Sequence, residues 1–137
     1  MVCNDSVLIT PSITFEDRLG KWRRRKAGNS AFYEQSIVFP TASWFDVHLD
    51  LPNACQVNDI QIVFGSLTDS RDFSVNLYMS PSDSDYQIIR KETSHTADDY
   101  RICQLKEKWP VAARLDILFT NYTAGQGCTI FVQADDI

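Results

Sequence analysis

The chain has 137 residues, of which 44% are hydrophobic and 23% are charged, and its net charge is −5. The length suits one ordinary domain and the composition is that of a folded protein, which excludes two full-sized domains and a disordered chain. The acidic balance argues against a protein that mainly binds nucleic acid. We therefore expect a single domain over residues 1–137.

Strand patterns follow one another along the chain, and helical patterns are almost absent. The first two strands are expected at residues 7–10 and 36–39. From Trp44 to Leu51 apolar and polar side chains alternate, as in a strand with one buried face, and Pro52 and Asn53 are expected to end it. Further strands are expected at residues 57–64, 73–79, 86–91, 100–105, 114–120 and 128–134. Short strands without intervening helices predict an all-β fold, an antiparallel β-sandwich (jelly roll) of about eight strands.

The location of the protein is inferred from what its sequence lacks. No apolar run approaches the roughly 20 residues of a membrane-spanning helix, and the first ten residues lack a signal-peptide pattern. We therefore expect no transmembrane segment and an intracellular protein, cytoplasmic or nuclear, with secretion as the alternative.

The four cysteines, Cys3, Cys55, Cys103 and Cys128, are widely spaced. Because no two of them form a C-x-x-C pair, the clustered pattern of a zinc site is missing. We expect Cys55, Cys103 and Cys128 to be small buried side chains in or beside strands, and two disulfides are the alternative.

Three polar residues of one strand, Asp46, His48 and Asp50, share a face and are candidate metal ligands. Alternate residues of a strand lie about 6.6 Å apart along one line, so these three cannot converge on an ion without help from neighbouring strands. We expect an exposed polar face there. No cofactor is expected, although a structural calcium ion in the aspartate-bearing loop at residues 83–85 is kept open.

Catalytic patterns are absent from the sequence, whereas aromatic residues that could bind a ligand are frequent. There are two histidines, no nucleophile elbow and no glycine-rich phosphate loop among 5 glycines, so we expect no enzyme activity. We expect Trp44 and Trp109 to be mainly packing residues, because each has a large area to bury. Aromatic residues near loop ends could stack on a sugar ring or anchor a protein interface: Trp22, Trp44, Tyr78, Tyr86, Trp109 and Tyr122.

The most distinctive chemical feature is a basic segment at residues 21–26, which contains five of the 13 basic residues of the chain. Such a segment suits phosphates, an acidic lipid headgroup or an acidic protein surface, and it would also serve as a nuclear-import signal. The alternative is a solvated segment whose charges pair with nearby carboxylates. The candidate partner-binding residues are Lys21, Trp22, Arg23, Arg24, Arg25 and Lys26.

Residues 44–51, Trp-Phe-Asp-Val-His-Leu-Asp-Leu, resemble the tryptophan-led strand of discoidin-like domains, which are also called coagulation factor 5/8 type C domains. Further segments follow in the family's order at residues 57–64, 73–80, 83–86, 111–117 and 129–134, so the resemblance covers roughly residues 44–134. It implies a galactose-binding-like jelly roll. Arg114 stands where the family also has a basic residue, and we expect it to pair with an acidic neighbour.

A shorter resemblance lies upstream, where Lys-Trp-Arg at residues 21–23 and Lys-Ala-Gly at residues 26–28 are similar to the N-terminal domain of X-ray repair cross-complementing scaffold proteins. That resemblance implies an intracellular scaffold that docks a protein. Our first hypothesis is therefore a non-catalytic module that docks a protein or anionic partner through end loops and the basic segment. The alternative is a lectin-like carbohydrate-binding module that uses loop aromatics and an arginine, and direct nucleic-acid binding is a weaker third.

Overall fold

A computed structural model describes residues 16–64, 71–78, 86–95, 99–103 and 111–136 of the chain. These ranges contain antiparallel strands joined by turns, and no helix. The expected all-β class is thereby confirmed, whereas the strand expected at residues 7–10 lies outside the described residues. The strands are β1 (Glu16–Leu19), β2 (Trp22–Ala27), β3 (Ser30–Val38), β4 (Trp44–Val63), β5 (Arg71–Tyr78), β6 (Tyr86–His95), β7 (Asp99–Cys103), β8 (Val111–Thr120) and β9 (Gly127–Asp136).

All nine strands belong to one hydrogen-bonded sheet in the order β1-β2-β3-β9-β4-β8-β5-β6, with β7 also paired to β4. β4 is 20 residues long and links two parts of this sheet. Its residues 44–50 pair with β8, and its residues 55–63 pair with β9, with β7 alongside residues 59–63. The pairing register with β8 shifts between Asp50 and Cys55, around Pro52. The prediction that Pro52 and Asn53 end this strand is wrong, because β4 passes through them with an irregularity, where a proline is tolerated.

The two parts of the sheet lie face to face as two layers. We call residues 44–50 of β4 with β8, β5 and β6 the β8 layer, and the other strands with residues 55–63 of β4 the β9 layer. Phe73 of β5 contacts Tyr100 of β7 with ring centroids 5.1 Å apart, and Phe119 of β8 lies 5.1 Å from Phe39, which follows β3. Because each contact joins the two layers, the chain forms the expected β-sandwich.

The core between the layers is built from the apolar residues that alternate along the strands. Val75, Phe119 and Val132 are each 0% exposed and belong to one continuous hydrophobic cluster. Burying a side chain of this kind contributes about 1.5–3 kcal/mol, so these contacts are the main source of stability. Cys55 and Cys128 are buried in the same cluster, which confirms the prediction for these two cysteines.

The basic segment forms a strand, β2, because a tight hairpin turn lies on either side of it. Gly20 and Gly28 each begin a two-residue turn with φ of 62°, a conformation that is costly for residues other than glycine. The turns fold β2 between β1 and β3, so the segment is paired on both sides. Within the described ranges, no helix has the length and hydrophobicity that a membrane span requires.

Candidate functional site

The outward side of the β8 layer, which we call the outer face, brings polar residues of three strands together. Residues that are opposite one another in antiparallel strands lie on the same side of a sheet. The register of β4, β8 and β5 therefore forms four rows across this face: Trp44, Thr120 and Asp72; Asp46, Leu118 and Ser74; His48, Asp116 and Asn76; and Asp50, Arg114 and Tyr78. The apolar neighbours of these residues in sequence point into the core.

Asp116 is the centre of this arrangement and is only 2% exposed. Arg114 donates through Nε to Asp116 Oδ1 and through Nη2 to Oδ2, each at 2.8 Å, and its guanidinium lies 4.6 Å from the centre of the Tyr78 ring. Burial first, and then the charge of Asp116, raise the pKa of Tyr78. The prediction that Arg114 pairs with an acidic neighbour is confirmed, and the ion pair fixes both side chains in place.

Asp46, His48 and Asp116 form a compact group in which one ligand atom from each lies within 4.8 Å of the others. Burial and the neighbouring charge of Asp116 raise the pKa of Asp46. Asp46 and His48 need a residue from a neighbouring strand in order to converge on one ion. Asp116 of β8 is that residue. Asp50 is not a member of this group, although it shares the same side of β4.

Trp44 lies on the outer face and is 59% exposed, so the prediction that it is mainly a packing residue is wrong. It is the first residue of β4, and residues 44–50 pair only with β8 among the described strands, which leaves its ring uncovered. A cleft of 370 Å³ begins at Thr120, the cross-strand neighbour of Trp44. The other side chains of this cleft include Asp72, Ser74, Ile88, Lys91, Glu92 and Leu118.

The basic segment is divided between the two sides of β2. Trp22 is 2% exposed and donates its indole Nε1–H to the carbonyl oxygen of His48 at 3.0 Å, so its ring packs in the core and offers no face for stacking. Arg24 and Lys26 share this side of the strand. Arg24 hydrogen-bonds Tyr33, whose pKa burial raises to about 12, and Lys26 Nζ donates to Asp136 at 2.7 Å.

The other side of β2 carries Arg23 and Arg25, and Arg23 is 3.8 Å from Glu34. Arg23 also lines an open cleft of 460 Å³ together with Arg18, Lys21, Glu34, Gln35 and Ser36. Three cations therefore meet at this surface, and only two of them, Lys21 and Arg23, come from the basic segment.

The remaining aromatic candidates contribute to packing where the structure describes them. Tyr122 stacks on Phe39 with ring centroids 4.7 Å apart, and its hydroxyl donates to the carbonyl of Ala42 at 2.8 Å. The side chains of Tyr86 and Trp109, as well as residues 83–85, lie outside the described residues.

A third cleft, of 390 Å³, runs along the edge of residues 45–50 of β4 that pairs with no other described strand. It lies between this edge and the β1–β2 turn, and Asp46, His48 and Asp50 line one side while Lys21 and Gln35 line the other. Solvent therefore reaches Asp46 and His48 from the edge of the sandwich.

Comparison with solved structures shows the same kind of fold. Chitosan-binding module 1 of a chitosanase/glucanase from Paenibacillus sp. IK-5 aligns with 74% of this chain and 75% of its own, with a TM-score of 0.55 and 10% sequence identity. PirA aligns with 79% of this chain and 96% of its own at a TM-score of 0.47 and 11% identity. The Yersinia pseudotuberculosis-derived mitogen aligns with 80% and 86% at a TM-score of 0.40 and 7% identity. The last two scores are too low to support a conclusion.

Sequence comparisons place the chain in no family. No protein-family model matches it, and a search of curated proteins finds no match. The chitosan-binding module supports the β-sandwich, whereas membership of the discoidin-like domains stays a prediction.

Proposed function

We propose that the chain is a non-catalytic carbohydrate-binding module and that the outer face is its binding surface. The observation that carries this proposal is Trp44, which is 59% exposed at one end of the outer face, beside a cleft that has both polar and apolar side chains. An exposed indole ring provides a flat apolar surface on which the C–H side of a sugar ring can stack. This was the alternative from the sequence, and the structure gives it better support than a docking site centred on Trp22.

The cleft beside Trp44 supplies the polar groups that a sugar needs. Asp72 and Glu92 offer acceptors, Lys91 offers a donor, and the hydroxyls of Ser74 and Thr120 can do both. Asp72 already accepts a hydrogen bond from Asn121 Nδ2 at 2.7 Å, which holds its carboxylate in position. A few fixed polar groups next to an apolar platform are typical of sites that orient a small ligand.

The charge of the outer face suggests which glycan to test first. Asp46, Asp50 and Asp72 give the face an acidic character that suits a sugar with a free amino group. The structural neighbour is named as a chitosan-binding module, and chitosan is a polymer of such sugars. We therefore propose amino-sugar polymers as the first ligand class and neutral glucans as the comparison.

The carboxylates of Asp46 and Asp116 do not have the arrangement of a glycosidase. Catalytic carboxyl groups are about 5–5.5 Å apart in retaining enzymes and about 6.5–9.5 Å apart in inverting ones. Asp46 and Asp116 each have a carboxylate oxygen within 4.8 Å of the other, and Arg114 donates a hydrogen bond to each oxygen of Asp116. This geometry leaves no space for a glycosidic bond between them and supports a binding role.

Isothermal titration with a chitosan oligosaccharide and with a neutral glucan oligosaccharide tests the proposal. Trp44→Ala should weaken binding by about 5- to 150-fold, which corresponds to the loss of roughly 1–3 kcal/mol of stacking on an aromatic ring. The matched control is Val38→Ala, which shortens another exposed apolar side chain, 69% exposed, on the other side of the sandwich. Binding of neither glycan, or equal loss in both variants, would contradict the proposal.

A second candidate function is docking of an acidic protein at the cleft of Arg18, Lys21 and Arg23. It is supported by the convergence of these three cations on one surface of an otherwise acidic chain. The test is a pull-down at low and high salt with the double variant Arg18→Ala and Arg23→Ala, and Lys26→Ala is the matched control because Lys26 lies on the other side of β2. A partner lost only in the double variant and at high salt supports docking. Equal retention in all three proteins contradicts it.

A further inference from the structure

The group of Asp46, His48 and Asp116 combines features that a metal ion explains better than a solvent-exposed polar face does. Its three potential ligand atoms lie within 4.8 Å of one another. In a tetrahedral site with bonds of about 2.1 Å, ligand atoms are roughly 3.4 Å apart. The remaining contraction of up to about 1.4 Å requires small side-chain rotations, which His48 can make because it is exposed at the edge of the sandwich.

Two buried oxygens on either side of Asp116 provide an independent observation. Asp46 Oδ1 and Asn76 Oδ1 have no hydrogen-bond partner among the described residues, and Asn76 is only 6% exposed. Asn76 is the cross-strand neighbour of Asp116 on β5, just as His48 is its neighbour on β4. A buried oxygen without a partner costs about 1–3 kcal/mol, and one cation bound between the strands would satisfy both of these oxygens.

The balance of charge at this place agrees with a divalent ion. The three carboxylates of Asp46, Asp50 and Asp116 meet two cations, Arg114 on β8 and Lys21 across the edge cleft, which leaves an excess of negative charge. Arg114 donates once to each oxygen of Asp116, and a carboxylate oxygen can accept a second interaction through its other lone pair. The ion pair therefore holds Asp116 in position without blocking it as a ligand.

We propose that Asp46, His48 and Asp116 bind one divalent transition-metal ion, with Asn76 Oδ1 as the fourth ligand. One imidazole nitrogen with carboxylate and amide oxygens suits Zn²⁺ or a neighbouring first-row ion, whereas Ca²⁺ and Mg²⁺ prefer oxygen alone. The cleft along the edge of β4 gives the ion a path to Asp46 and His48. The site goes beyond glycan binding, because Trp44 and its cleft are not part of it.

Titration of chelator-treated protein with ZnCl₂, followed by calorimetry, tests this proposal. We expect one Zn²⁺ per chain. His48→Gln and Asp46→Asn should each weaken binding at least tenfold, because even residues that only support a metal ligand contribute about 10- to 100-fold. The matched control is His95→Gln, which removes the other histidine of the chain and should leave binding unchanged. Trp44→Ala should also leave it unchanged, so a failed glycan experiment does not affect this one.

A measurement on the wild-type protein avoids any effect of the substitutions on folding. Zn²⁺ should move the NMR signals of the His48 ring and leave those of His95 in place. No binding at millimolar ZnCl₂, undiminished binding by folded His48→Gln, or equal movement of both histidines would overturn the proposal. Undiminished binding by that variant would instead point to the cysteine thiols.

Discussion

Replacing Trp22 with Phe should destabilise the protein, whereas the same replacement at Trp44 should not. Trp22 is 2% exposed and its indole N–H donates to the His48 carbonyl at 3.0 Å. Loss of this hydrogen bond costs about 1 kcal/mol, because the adjacent cleft lets water reach the carbonyl. This is the lower end of the range of about 1–3 kcal/mol that a buried polar group without a partner costs. The smaller ring leaves a void worth roughly 1–2 kcal/mol. We therefore expect the substitution to lower the free energy of unfolding by about 2–3 kcal/mol at Trp22. At Trp44, which is 59% exposed, it should lower it by less than about 0.5 kcal/mol.

Equilibrium unfolding in urea, followed by far-UV circular dichroism, measures both changes. This signal is preferable to fluorescence, because each substitution removes a tryptophan. The two variants have the same chemical change, so each is the control for the other. A cost below about 0.5 kcal/mol at Trp22 would refute the core position of its ring and would make it available to a ligand. An equal cost at both positions would refute the exposure of Trp44.

Three further predictions concern other parts of the molecule. Phe119→Ala should cost about 3–5 kcal/mol in the same urea experiment, because the ring is 0% exposed and contacts three other aromatic rings; a cost below about 1 kcal/mol would contradict the packing of the two layers. Asp46 has a raised pKa in the fold, so its contribution to stability is present at low pH and is lost as the pH rises through the folded pKa. Asp46→Asn should therefore raise the free energy of unfolding by roughly 0.2–1 kcal/mol at neutral pH and change it little near pH 4. Thermal unfolding of both proteins at these two pH values, without metal, tests the sign of this difference. Burial raises the pKa of Cys128 to about 12, so iodoacetamide at pH 8 should label it only after unfolding, and peptide mass spectrometry would reveal any labelling of the native protein.

The sequence predicts the strands whose apolar residues alternate and misses those whose burial depends on the rest of the fold. Residues 114–120 and 128–134 have regular alternation, and β8 and β9 contain them. β2 has one buried residue, Trp22, in a run of charged residues, so no alternation marks it. It becomes a strand because Gly20 and Gly28 turn the chain back on either side, so that β1 and β3 pair with it.

The residues of the candidate site, like the strands, can be predicted only in part from the sequence. Asp46 and His48 are recognisable from the sequence because they share one side of a strand, but the register that brings Asp116 beside His48 cannot be read from either strand alone. The available signal was a charged residue within the apolar run of residues 115–119. Trp44 was misjudged for a related reason: tryptophans usually bury most of their area, and only the position of β4 in the β8 layer leaves this one uncovered.

The length of β4 connects these observations. Since β4 continues past Pro52 into the β9 layer, its residues 44–50 are held at one end by the core and lie at the edge of the β8 layer. An unpaired edge exposes backbone groups to solvent and to other chains. Trp22 covers part of this edge by binding the carbonyl of His48, the residue whose ring is a proposed metal ligand. The basic segment therefore contributes to the outer face through the position of its tryptophan.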